Sequence, residues 1–204
     1  MSLNPYDINP DFMKPDHINS DHMNSYGVII ISPVGDIPSW ITAVIAERVK
    51  EIFRFETRVS VLLEDIFFAY DRDRDQYYST RILEELATRM PEDCIKLLAV
   101  TQEDLFIPIL THVYGEAQLG GRTSIISLSR LMEYPNSGSR EKSRCRIVKE
   151  AVHELGHTFD LRHCEDEHCM MHYCRKLEDV DHKSDRFCRY CKIFLSDSIK
   201  SLGV

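Results

Sequence analysis

The chain lacks the features that mark several large classes of protein. No apolar run in its 204 residues approaches the roughly 20 residues of a membrane-spanning helix, and its first residues do not show the basic-then-apolar pattern of a secretory signal peptide. Its net charge is −8 and its basic residues form no stripe, which argues against nucleic acid as the main partner. We therefore expect a cytoplasmic protein that binds neither membranes nor nucleic acid.

The composition is that of a globular protein with a polar extension. Apolar residues (43%) and charged residues (28%) occur in ordinary proportions, so the length suffices for one compact domain with at most a small appendage. Residues 1–23 are polar, rich in Asn, Asp and Pro, and carry no hydrophobic periodicity. We interpret them as a flexible N-terminal extension.

From residue 24 onward, short apolar runs alternate with helical patterns. The runs predict strands at 26–32, 56–63, 94–101 and 123–130, and the periodic stretches predict helices beginning near Pro38, at 79–90 and from about Ser139 to Asp160. This alternation predicts an α/β fold with a sheet of four or five strands. The third helix has one apolar stripe, expected to pack on the sheet, which comprises Cys145, Val148, Val152, Leu155 and Phe159.

The third helix carries the sequence His153-Glu154-Leu155-Gly156-His157. His153 and His157 lie one turn apart, so both imidazoles can reach one metal ion. Glu154 is offset round the helix, where it can act as a general base without binding the metal. Three neutral ligands would leave zinc one open position, at which a water is acidified to a pKa of about 7. The motif therefore predicts a zinc-dependent peptidase.

The third metal ligand has three candidates. His163 lies beyond the predicted end of the helix, six residues after His157. Asp160 would share the face of the histidines if the helix continued, and Glu178 would have to come from a following helix. We favour His163, because the chain must break and turn back to bring it round.

Seven cysteines are the anomaly of the composition, and most of them lie after residue 163. In a protein without an export signal, clustered cysteines indicate metal ligands before disulfides. Cys188 and Cys191 have the spacing of a zinc knuckle. Their partner pair is ambiguous by spacing, since Cys164 to Cys169 and Cys169 to Cys174 have the same gap. Four thiolates would leave no open position and would make a structural site.

The stretch from His153 to His163 resembles the extended HExxHxxGxxH motif of the metzincin peptidases. The residues that follow resemble the archaemetzincins in particular, which place Cys directly after the third histidine, then a spaced Cys and Met, and later a CxxC pair. The matching residues here are His163, Cys164, Cys169, Met171, Cys188 and Cys191. The segments LLAVTQEDLF, YGEAQLGGRTSIISLSRL and LEDVD are also similar, so the resemblance covers most of residues 26–195.

The resemblance implies a role for each of these residues. The implied ligands are His153, His157 and His163 for a catalytic zinc, and Cys164, Cys169, Cys188 and Cys191 for a second, structural zinc. Cys174 is then left free. Met171 becomes the Met-turn residue, which packs beneath the histidines without binding metal. Tyr173 is a candidate for stabilising the oxyanion, with a purely structural tyrosine as the alternative.

The resemblance also implies an architecture. Residues 24–163 would form a twisted mixed sheet with the active-site helix above a cleft, and residues 164–204 a small subdomain stabilised by zinc. The strand at 123–130 would be the sheet edge that lines the cleft, where a peptide or protein substrate binds as an added strand. We expect a monomer.

One position departs from the family pattern. Asp160 stands where metzincins carry a glycine, whose positive φ ends the active-site helix. Asp and Asn tolerate this conformation best after glycine, so we expect the turn to persist.

The alternative to a peptidase is a non-catalytic zinc-binding protein, whose metal sites serve folding or the binding of a partner. An intact site can be covered by a loop or can lack a suitable substrate. Replacement of Glu154 distinguishes a peptidase from a non-catalytic zinc protein, because only the peptidase would lose a hydrolytic activity when this residue is replaced.

Overall fold

The computed structural model describes residues 24–132 and 139–203, which form a mixed α/β fold. The strands are β1 (Asn24–Val34), β2 (Phe55–Val59), β3 (Tyr70–Asp71), β4 (Gln76–Tyr78), β5 (Cys94–Thr101), β6 (Leu105–Phe106), β7 (Gly115–Ala117) and β8 (Thr123–Ser127). The α-helices are α1 (Ser39–Phe53), α2 (Ser79–Thr88), α3 (Ser139–Thr158), α4 (Leu177–His182) and α5 (Arg189–Ser201). No helix in these two ranges has the length and apolar character needed to cross a membrane. The extension predicted at 1–23 lies outside the described residues.

The predicted strands and helices are confirmed in order and type, and the differences lie at their ends. β5 coincides with the predicted 94–101, whereas β2 ends at Val59 and β8 at Ser127. Strands β3, β4 and β6 form a separate three-stranded sheet that was not predicted. Each of them has only two or three residues, which is too short for a periodic pattern.

The main sheet has the strand order β2-β1-β5-β8-β7. The first four strands are parallel, and β7 pairs antiparallel to β8 at the edge. The prediction that the strand at 123–130 forms this edge is therefore wrong. All five residues of β8 are buried between two neighbours, as expected of an inner strand. The edge strand Gly115–Ala117 has the sequence Gly-Glu-Ala, which carries no β-branched or alternating signal.

Each face of the main sheet supports its own hydrophobic core. Alternation along β1 sends Ile29 and Ile31 to one face and Ile30 to the other. The first face packs against α1 and α3, and the second against α2. The sheet is thus covered by helices on both sides, as a parallel sheet requires.

Helix α3 packs on the first face through a stripe that differs in part from the predicted one. Val152, Leu155 and Phe159 are buried as predicted. Cys145 and Val148 are only half-buried, and Ile147 and Ala151 take their places in the core. The N-terminal half of α3 therefore presents a face rotated from the one that spacing alone indicated.

The segment after α3 packs on the same core as the sheet. Met170, Met171, Phe187 and Leu195 are buried against the residues of α1 and α3. Residues 164–203 thus cover the side of α3 that turns away from the sheet.

Phe53 joins α1 to the end of α3. Its ring stacks on that of Phe159 with a centroid distance of 4.9 Å and meets the ring of Phe187 at 6.4 Å. Phe53 is fully buried, whereas Phe194 on α5 is 62% exposed. We expect Phe53→Ala to lower the free energy of unfolding by about 3–5 kcal/mol through lost contacts and an unfilled cavity. Phe194→Ala should change it by no more than about 0.5 kcal/mol. Urea unfolding of both variants measures the difference, and equal effects would contradict this packing.

Candidate metal centre

Three histidines meet at the C-terminal end of α3. His153 and His157 project from successive turns, and His163 returns from the segment that follows the helix. The ring centroids lie 4.7 Å apart for His153 and His157, 5.4 Å for His153 and His163, and 4.8 Å for His157 and His163. One ring nitrogen from each of them lies within 4.8 Å of the others. The three residues thus converge on a volume the size of a single ion.

The hydrogen bonds of the two helical histidines fix which nitrogen is free. Nδ1 of His153 donates to the carbonyl oxygen of Met170 at 2.9 Å, and Nδ1 of His157 donates to that of Leu161 at 2.7 Å. Both Nε2 atoms are therefore unprotonated, and they lie 3.1 Å apart. Two lone pairs at this distance repel each other unless a cation lies beside them. The donor set consequently fits zinc, for which imidazole is a preferred ligand.

The surroundings keep all three imidazoles neutral. Burial lowers the pKa of His153 well below its ordinary value, and the neighbouring Lys183 ammonium lowers it further. Burial also lowers the pKa of His157. Burial, followed by the proximity of His157 and of the Lys183 ammonium, lowers the pKa of His163 to about 4. Neutral imidazoles at physiological pH are ready to bind a metal without first losing a proton.

Asp160 makes the turn that brings His163 back. Its φ is +64°, which confirms the predicted left-handed conformation at this position. The backbone N–H groups of Asp160 and Leu161 donate to the carbonyls of His157 and Gly156 at 2.9 and 3.1 Å, which closes the end of the helix. The Asp160 side chain lies beside Gly120.

Neither alternative ligand joins the histidines. Within the described part of the chain, the donor group contains only His153, His157 and His163, without Asp160 or Glu178. Glu178 lies on α4 with an exposed side chain.

Met171 lies directly beneath the histidine motif. It is fully buried, and a Cβ built at Gly156 would lie only 2.7 Å from its Sδ atom. Gly156 is thus required between the two helical histidines so that the methionine can approach the helix. The neighbouring Met170 supplies the carbonyl that orients His153, so this turn positions a candidate metal ligand through its backbone.

Glu154 faces the opposite wall of the site, at the edge strand. Its side chain packs against Gly115 of β7, where a Cβ would lie 2.6 Å from Cγ of Glu154. Glu154 is 6% exposed, and burial together with the neighbouring Glu150 carboxylate raises its pKa well above the ordinary value. A carboxylate in these surroundings readily accepts a proton.

The histidines and Glu154 line an open cleft of about 880 Å³. One wall is formed by β7 and the segment before it, with Ile107, Leu110 and Val113, and the other by residues after α3. Tyr173 lines the cleft, is 41% exposed, and has its ring centroid 4.8 Å from that of His163. The cleft is large enough to hold several residues of an extended peptide.

Four cysteines form a second cluster next to the first. One Sγ atom from each of Cys164, Cys169, Cys188 and Cys191 lies within 4.8 Å of the others, and none forms a disulfide. Backbone N–H groups of Met171 and Cys188 donate to Sγ of Cys169 at 3.5 and 3.3 Å, the pattern that stabilises a thiolate. Four convergent sulfurs fit zinc in a closed tetrahedral site. Cys174 does not join this cluster and instead lines the cleft.

The two clusters are joined through the backbone. Cys164 follows His163 directly, and its N–H donates to the carbonyl of Met171 at 2.9 Å. The cysteine cluster therefore holds the loop that carries both His163 and the methionine turn.

Sequence reasoning missed two charged residues at this site. Glu150 lines the cleft one turn before Glu154, and Lys183 forms an ion pair with it at 2.7 Å. The i, i+4 spacing of the two glutamates was a usable signal for Glu150. No local pattern could have placed Lys183, which comes from a segment that contacts α3 only in the folded chain.

Comparison with known proteins finds relatives that match most of the described residues. The family model described as "Peptidase family M54" matches residues 44–197. An archaemetzincin of Methanocaldococcus jannaschii is 36% identical over 171 residues, which cover 83% of this chain and 93% of that protein. The crystal structure of an archaemetzincin from Methanopyrus kandleri superposes with a TM-score of 0.76 at 34% identity, covering 88% of this chain and 99% of the other. That of the Archaeoglobus fulgidus protein complexed with malonate gives a TM-score of 0.71 at 36% identity, covering 82% and 99%.

The left-handed turn at Asp160 yields a test of the ligand set. Glycine adopts this conformation without strain, so we expect Asp160→Gly to keep the free energy of unfolding within about 1 kcal/mol. Asp160→Val should lower it by about 1–2 kcal/mol, because a β-branched residue is disfavoured at positive φ. Asp160→Gly should also retain the full metal content, measured by elemental analysis. Loss of a metal ion from this variant would make Asp160 a ligand.

Proposed function

This chain belongs to peptidase family M54, the archaemetzincins, and we propose that it hydrolyses peptide bonds in the cleft with Glu154 as the general base. Membership of the family makes it a zinc metallopeptidase. The observation that carries the mechanism is the convergence of three neutral imidazoles beside a buried carboxylate in an open cleft. The histidines and the carboxylate have separate tasks.

The histidines would hold the catalytic zinc. Nε2 of His153 and of His157 are the free donors on the helix, and His163 supplies the third imidazole. Zinc bound by three neutral ligands supplies a Lewis acid that acidifies a water and polarises the scissile carbonyl. Because all three ligands are neutral, the site keeps the full charge of the ion.

Glu154 would move the proton. Its carboxylate accepts a proton from the attacking water and then delivers that proton to the amine that leaves. Gly115 leaves room for the side chain, and burial raises the proton affinity that the first transfer needs. Tyr173 lies at the rim of the same site, where its hydroxyl can donate to the oxygen that gains negative charge.

The substrate would bind along β7. This short strand has a partner on one side only, so its outer backbone groups can pair with an extended peptide. Such backbone pairing would account for the recognition of peptides, and it would hold the substrate against Glu154 and the histidines. The aliphatic side chains of Ile107, Leu110 and Val113 line the same cleft and offer apolar contacts to substrate side chains.

The cysteine cluster would hold a second, structural zinc. Four thiolates would leave no position for a water, so an ion held there would take no part in hydrolysis. Its task is to fold the segment from Cys164 to Cys191 and thereby to fix His163 and Met171 against α3.

Replacement of the general base separates chemistry from metal binding. We expect Glu154→Gln to slow hydrolysis of a peptide library by about 10²- to 10⁴-fold, because proton transfer is lost, while the zinc content stays unchanged. Glu141→Gln, at the exposed start of the same helix, is the matched control and should retain activity. Full activity of Glu154→Gln would refute its role as base. A wild-type protein that binds zinc but cleaves no peptide would favour a non-catalytic zinc protein.

Metal stoichiometry tests the two zinc sites independently of any substrate. We expect two zinc ions per chain, one for each donor cluster, by elemental analysis of protein purified in metal-free buffer. His163→Ala and Cys188→Ala should each lose one ion, and Cys174→Ala should keep both. A single ion that survives His163→Ala would contradict the ligand assignment.

A further inference from the structure

The side of α3 that faces away from the sheet carries an unusual run of buried charge. Arg146, Lys149 and Glu150 are each at most 5% exposed. Arg146 forms an ion pair with Asp181, and Nζ of Lys149 donates to the carbonyls of Val180 and Asp181 at 3.0 and 3.2 Å. The third contact, between Lys183 and Glu150, lies nearest the candidate metal centre. We call residues 180–183, which receive these contacts, the clasp segment.

Lys183 differs from the other two cations in what it touches. Its side chain is fully buried, with Nζ 2.7 Å from Oε1 of Glu150 and 3.4 Å from Nδ1 of His153. Nδ1 of His153 already donates to the carbonyl of Met170, so it cannot accept a hydrogen bond from the Lys183 ammonium. Glu150 is the carboxylate that forms an ion pair with Lys183, and the Cys174 thiol and Glu154 are further neighbours of the ammonium. Among the described residues, Oε1 of Glu150 makes no hydrogen bond with any other group.

Stability does not account for this pair. Removing two charges from water costs about as much as their attraction returns, and apolar residues of the same size are often as stabilising or more so. Arg146 and Lys149 already attach the clasp segment to α3. A reason for the buried pair is to be found in its position beside the histidines and Glu154.

Glu150 is a carboxylate that must not bind the catalytic metal if the site is to keep an open position. It lies on α3 three residues before His153 and four before Glu154, on the same side of the helix, and it lines the same cleft. Without a counter-charge, a buried carboxylate there would turn towards the nearest cation. In the zinc-loaded protein that cation is the metal, and a fourth protein ligand would fill the position that a water needs.

We propose that Lys183 is a positioning residue that holds the Glu150 carboxylate away from the histidine donors and so preserves the open position of the catalytic metal. This inference rests on the proposed function, since it concerns the same site. Loss of Lys183 is therefore expected to lower kcat only because Glu150 is freed, and replacing Glu150 by a neutral residue as well should restore kcat.

The test compares Lys183→Met with Glu150→Met/Lys183→Met and with Lys149→Met as the matched control. The full chain is purified, its catalytic site is loaded with cobalt(II), and the visible absorption spectrum is recorded, because the spectrum reports the ligands of the ion. We expect Lys183→Met to change the spectrum and to lower kcat by about 10- to 100-fold with little change in KM. The double variant should return the spectrum to that of the wild type and bring kcat to within about threefold of it. Lys149→Met, which loosens the same clasp segment without freeing Glu150, should lower stability alone.

Three results would overturn the proposal. These are an unchanged spectrum and kcat in Lys183→Met, a double variant as impaired as the single one, and a Lys149→Met variant with the same spectral change. If Lys183→Met does not fold, Lys183→Gln replaces it, because it removes the positive charge that holds Glu150 and leaves a polar side chain of similar length, and the same three results decide. A wild-type protein that cleaves no peptide would count against the proposed function, whereas the cobalt spectra would still decide the role of Lys183.

Discussion

The packing of α3 between the sheet and the segment that follows it is the constraint on which the rest of the structure depends. One face of the helix is apolar and lies on β5 and β8 through Val152, Leu155 and Phe159. The other sides carry charged and histidine side chains that would be costly to bury without partners. The segment after Asp160 supplies those partners, so the fold of the core and the assembly of the site are one event.

The same dependence explains why small residues occur where the site is most crowded. Gly156 admits the sulfur of Met171, and Gly115 admits the side chain of Glu154. Each glycine lies where a single additional carbon would meet a neighbour at less than 3 Å. The positions of the histidines and of Glu154 are thus constrained by the methionine turn on one side of the helix and by the edge strand on the other. Neither contact involves the candidate catalytic metal, so both constrain the histidines and Glu154 independently of that ion.

Much of this arrangement could be predicted from the sequence, because its signals are local. The histidine spacing, the αL turn at Asp160 and the closely spaced cysteines each act over a few residues, and the helix and strands that carry them have clear periodicity. The edge strand β7 was missed because three residues without alternation carry no pattern. The partners of α3 were missed for another reason. Lys183 and the carbonyl of Met170 reach the helix only through tertiary packing, and a backbone carbonyl has no signature in a sequence.

We propose that the two neighbouring donor sets hold two zinc ions, of which only one has an open position. Anomalous diffraction at the zinc absorption edge, on crystals of the full chain, would locate both ions. We expect one peak within bonding distance of a nitrogen of each of His153, His157 and His163, with no carboxylate among the protein ligands, and a second peak among Cys164, Cys169, Cys188 and Cys191. A first peak bound by Glu150 or Asp160, or no peak at the histidines, would contradict it.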